Sequence, residues 1–150
     1  MGMRIMARII ETVESYAGVV SPLLFILGAV LAIASYPGYN PAMDYLSHLG
    51  IDPHSYLFFN IGVAVSGVLG ILFSLFLWKR FPAGLARSGA FLIGAGMMFF
   101  TMISVFTEES FMLHLFFAGL FFALAFLSFV LVGIGLLRDD RKLSAFSFLM

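Results

Sequence analysis

Four apolar stretches, near residues 16–36, 56–78, 85–106 and 112–137, are each long enough to cross a hydrocarbon core. Such a core is roughly 30 Å thick and takes about 20 residues of helix. Within it only structures that satisfy their own backbone hydrogen bonds survive, which restricts a chain of this pattern to helices packed on helices. The remaining composition agrees: 62% of residues are hydrophobic, 11% are charged, and 19 of 150 are Phe. The expected fold is therefore all-α, a polytopic transmembrane helix bundle of four spans, and the bilayer is its first partner.

Charge supplies the orientation. The eight Lys and Arg residues are Arg4, Arg8, Lys79, Arg80, Arg87, Arg138, Arg141 and Lys142, confined to the N-terminus, the middle connection and the C-terminal end. By the positive-inside rule these segments face the cytoplasm, placing both termini there in a multi-pass protein of the cell membrane. An even number of spans that starts inside also ends inside, which gives the same answer independently. A competing reading takes the first stretch as a signal peptide, because Ala32, Ile33 and Ala34 imitate a small-residue cleavage site. The formal net charge is zero and the basic residues are too dispersed for a DNA-binding stripe, so nucleic acid is set aside as a partner. With no Cys, thiolate metal sites and cysteine nucleophiles are excluded.

The segment 1–14 reads as an amphipathic helix: Ile5, Met6, Ile9, Ile10 and Val13 share one face, with Arg4, Arg8 and Glu11 on the other. It either lies in the interface or simply extends the first span. Small residues at four-residue spacing mark packing seams, because in lipid they let backbones approach. The candidates are Gly28 and Ala32, then Gly62, Ser66 and Gly70, then Ala90 and Gly94, then Gly119 and Ala123.

The polar residues of the two other connections carry the chemistry. Asn40 before Pro41 reads as a helix start and Gly50 as a stop, so a short interfacial helix is expected over 41–49. On it Asp44, Ser47 and His48 would share a face. Asp52 before Pro53 repeats the start signal and would place His54 in the first turn of the second span. Asn60 and His114 lie deeper and need partners inside the bundle, since a bare amide or imidazole in hydrocarbon costs several kcal/mol. An Asn60–His114 hydrogen bond would satisfy both.

These residues resemble a known family. Tyr36-Pro37-Gly38-Tyr39-Asn40 followed by Tyr45-Leu46-Ser47-His48-Leu49-Gly50, then Phe58-Phe59-Asn60 and Gly67, look like the archaeal branch of the integral membrane proteins catalogued as domain of unknown function 998. The stretch 94–122, with Val105-Phe106-Thr107-Glu108 ahead of His114 and Phe121-Phe122, is similar to the family's second signature. The family pattern has an acidic residue where His48 stands and Pro where Thr107 stands. The resemblance implies that Ser47, Asn60, Glu108 and His114 belong together, and that about six spans are usual. The apolar run 143–150 then reads as the start of a fifth helix, and an incomplete bundle would offer a face to partner helices or a second copy.

Three functional readings stand side by side. Asp44, Ser47, His48, Asn60, Glu108 and His114 could form an outward-facing pocket for a lipid headgroup, a small polar ligand or an ion. Alternatively the chain is a structural or accessory subunit. In the third reading it is a metal-dependent hydrolase, with His48, His54, His114 and Glu108 as candidate ligands of a divalent metal. No two His stand at i and i+3 or i+4, so the metal pattern lacks a recognised motif.

Overall fold

The structure is a computed structural model and describes residues 2–139. Four long helices occupy the four apolar stretches: α1 (Gly2–Ser35), α2 (Tyr56–Arg80), α3 (Leu85–Ile103) and α4 (Phe111–Asp139). All four are long and apolar enough to cross a membrane, and no strand occurs among the described residues. The run 143–150, read as the start of a fifth helix, lies outside them.

α1 runs unbroken, so the amphipathic segment and the first span are one helix. Its 34 residues span about 50 Å at 1.5 Å per residue, well beyond a hydrocarbon core. The surplus lies at the basic end. There Glu14, 5% exposed, receives Lys79 Nζ at 2.7 Å on both carboxylate oxygens, and Arg80 meets Glu11 at 2.8 Å. Arg87 donates to the Phe81 carbonyl at 2.9 Å and lies over the Trp78 ring. Between α2 and α3 the chain turns through Gly84, whose φ of +121° only glycine adopts without strain.

Each helix packs on its neighbour in sequence. Along α1 and α2, Gly28 faces Gly62 so closely that a β-carbon on Gly28 would fall 2.8 Å from the Phe58 carbonyl oxygen and 2.9 Å from Gly62 Cα. About two turns away along α1 and one along α2, Ser21 Oγ donates to the Ser66 carbonyl and Ser66 Oγ to the Ser21 carbonyl, both at 2.8 Å. The seam expected from Gly119 and Ala123 on α4 does not form. A β-carbon on Gly119 would touch nothing, and Ala123 is exposed. α4 instead packs through Ser128, Val132 and Gly135 against Gly89 and Ala86. Nine residues at 100° each place 128 about half a turn from 119, on the opposite face.

The fold is not closed. Among the described residues no Cα of α1 comes within 8 Å of a Cα of α4. The packed cores therefore sit at opposite ends. One, around Ala86, Val132 and Leu136, joins α3 to α4 at the basic end. The other, around Ala32, Leu49, Phe59 and Val63, lies where the connection between α1 and α2 folds back over their ends.

That connection departs from the expected helix over 41–49. Asn40 Oδ1 accepts the Ala42 N–H at 3.0 Å, and the Asp44 carboxylate returns to the Asn40 N–H at 2.9 Å. These side chains compete with helical hydrogen bonds and close a separate turn at Asp44. Tyr45 is extended, and a short 3-10 helix, Leu46–Gly50, follows. A second 3-10 turn, Glu108–Ser110, leads into α4 beside it.

Candidate functional site

The two 3-10 turns bring Asp44, Ser47, His48 and Glu108 into one cluster. Ser47 Oγ donates to Glu108 Oε1, and His48 Nε2 lies 3.1 Å from Glu108 Oε2. On the other side of the ring, His48 Nδ1 is 3.7 Å from Asp44 Oδ1, with Tyr45 edge-on at 5.4 Å between ring centroids. Glu108 is thus the joint between the two connections: it ties α4's leading turn to the turn that caps α1 and α2. Its carboxylate is 15% exposed, enough cover for these contacts to hold the turns in register.

The other candidates stand differently. Asn60 Nδ2 donates to the Gly50 carbonyl at 2.9 Å, and His114 Nδ1 lies 2.9 Å from the Phe106 carbonyl, so the expected bond between these two side chains is replaced by two bonds to backbone. Since a carbonyl only accepts, Nδ1 of His114 is the donor, and in the neutral ring Nε2 keeps its lone pair. His54 lies outside the cluster. Asp52 does accept its N–H at 2.9 Å, but the turn this closes ends before α2 begins at Tyr56. His54 is left 65% exposed, 3.4 Å from Asp52.

This arrangement narrows the chemistry. Among the described residues no three His, Asp or Glu side chains converge as a metal site requires. His48 turns its two nitrogens to different carboxylates, and His54 and His114 each have other partners. Nor, among the described residues, does Ser47 pair with His48 as nucleophilic catalysis would need, because Glu108 stands between them.

Beneath the cluster lies a cavity of about 570 Å³, within the roughly 300–1,000 Å³ range of small-molecule sites. Tyr45, Leu46, Ser47 and His114 ring its upper end, and Ser21, Ser66 and Met97 close the lower one. Between them the wall is mostly apolar, with Phe59, Phe25, Phe100 and Phe121 in successive edge or tilted contact at 4.8–6.3 Å. From Phe59 to Ser66 the lining runs about 10 Å along α2, and from His114 to Phe122 about 12 Å along α4, most of half the thickness of a hydrocarbon core. All four helices contribute, and among the described residues α1 and α4 do not meet beside it.

The residue-type signals missed the cavity's floor. Ser21 carried no motif, although a Ser next to Pro22 in the middle of an apolar helix is a polar group that must find an acceptor on a neighbour. Tyr45 and Leu46 were visible only as part of the family signature.

No curated protein and no solved structure matches the chain. The family described as "Protein of unknown function (DUF998)" matches residues 19–150, a span that takes in both 3-10 turns, the cavity and every residue of the cluster. The chain belongs to the DUF998 family of proteins of unknown function.

Proposed function

We propose that the protein binds a membrane amphiphile, with the chain of the lipid in the cavity between α1 and α4 and its headgroup at the upper end, where His114 and Ser47 of the cluster line it. The observation that carries this reading is the shape of the cavity: its lining runs about 10–12 Å along α2 and α4, most of one leaflet, apolar along its length and polar at one end, beside the gap where no described Cα of α1 comes within 8 Å of α4. A free polar ligand or an ion would use only the upper rim and leave the apolar wall without a role.

The charge distribution supports the cluster as the outward end, with the N-terminus and the basic residues in the cytoplasm of a multi-pass cell-membrane protein. The motifs at 36–50 support a place on the archaeal branch of the family.

The test compares the wild type with Ala118→Trp, which fills the cavity from α4 without touching the cluster. Both are purified in mild detergent and examined by native mass spectrometry for retained lipid. The wild type retains about one lipid per chain through washes that strip annular lipid, and the variant loses it while keeping its elution volume and thermal transition. Equal retention in both, or none in the wild type, contradicts the reading. A wild type that retains no lipid but co-purifies with another helical chain in the cleft would favour the structural-subunit role instead.

A further inference from the structure

The cavity also has a preferred headgroup, and this inference rests on the amphiphile-binding reading above. At its upper end Ser47 and His114 have already used their donors inward, Ser47 O–H on Glu108 and His114 Nδ1–H on the Phe106 carbonyl, while Tyr45 is 72% exposed. What they turn to a ligand is the remaining lone pairs of Ser47 Oγ and the Nε2 edge of His114, whose Nδ1–H is already engaged. At the floor, the Ser21 and Ser66 hydroxyls are each engaged on the other residue's carbonyl, so nothing polar is left to hold a second headgroup there.

The wider surroundings point the same way. The connections at this end contain Asp44, Asp52, Glu108 and Glu109 and not one Lys or Arg. An anionic phosphate placed at the rim would face lone pairs and carboxylates with no Lys or Arg to meet it, and the imidazole nearest the rim, His48, already lies between Asp44 and Glu108. Such a juxtaposition of like charges excludes ligands as effectively as a clash does. We infer that the site selects lipids whose headgroup donates hydrogen bonds, a hydroxyl or a primary ammonium, and rejects anionic phosphate headgroups.

The test uses the full chain, stripped of lipid in detergent, and three lipids with the same dioleoyl chains: dioleoylglycerol with its free hydroxyl, a dioleoyl lipid ending in a primary ammonium, and dioleoyl phosphatidic acid. Occupancy is read by native mass spectrometry at equal lipid concentration. The hydroxyl and ammonium lipids are expected to bind about tenfold or more tightly than phosphatidic acid. Glu108→Gln should narrow the advantage of the ammonium lipid and leave that of the hydroxyl lipid nearly unchanged, a split that mere loss of fold would not produce. Phosphatidic acid binding as well as or better than the others overturns the headgroup assignment while leaving lipid binding intact. Binding of none of the three overturns both.

Discussion

Two sides of α1 meet opposite fates. Toward α2 the helix closes to backbone contact: Gly28 lies on Gly62, and Ser21 and Ser66 exchange hydrogen bonds. Toward α4 it makes no close approach, and aromatic side chains line the space between. In lipid both faces are equally apolar, so hydrophobicity does not decide which one closes. Side-chain size and the need to satisfy hydroxyl groups do. A closed seam takes small residues on both helices at the same level. On the other side Phe25 and Phe121 each pack against Phe100 of α3 and line the cavity.

The contrast breaks most severely at the closed seam. Gly28→Leu forces side-chain atoms into the Phe58 carbonyl and Gly62, and neither can move without separating the helices. Its expected cost is about 3 kcal/mol or more, read as loss of the thermal transition in detergent. A thermal midpoint equal to wild type would mean that the seam is not closed.

The serine exchange gives a finer test. Ser21→Ala and Ser66→Ala each remove one hydroxyl that bonds to a backbone carbonyl, and neither change orphans the other hydroxyl. Each should cost about 0.5–1.5 kcal/mol, the usual range for such bonds between membrane helices. The double variant should cost their sum to within about 0.5 kcal/mol. Strong non-additivity would show that the hydroxyls bond to each other. At the smallest end, His54→Ala removes an exposed ring outside the cluster and should change stability by less than about 0.5 kcal/mol, with lipid retention unchanged.

The spans were legible because a run of some 20 apolar residues leaves the backbone no alternative to a helix in hydrocarbon. Faces were harder. Gly119 and Ala123 carry the small-residue spacing, yet it is Ser128 and Val132 that meet α3, since spacing defines a stripe without saying what lies opposite it. The convergence of Ser47 with Glu108 was implied by the family resemblance, because it depends on two turns meeting across the fold. His114 and Asn60 needed partners, as burial of polar groups dictates, but their acceptors are backbone carbonyls, which no residue type announces. The helix expected at 41–49 failed for a local reason: Asn40 and Asp44 offered the backbone a tighter turn.

The open face of α1 is tested most directly by photocrosslinking in the membrane, with a lipid carrying a photoactivatable group near the middle of its chain. Phe25 and Phe100 lie inside the bundle along the cavity wall, whereas Phe126, 73% exposed on α4, reports ordinary contact with surrounding lipid. The account predicts adducts at Phe25 and Phe100 as well as at Phe126, with the first two lost in Ala118→Trp. Adducts confined to Phe126 and other outward positions would contradict it, because the gap between α1 and α4 would then be closed to lipid.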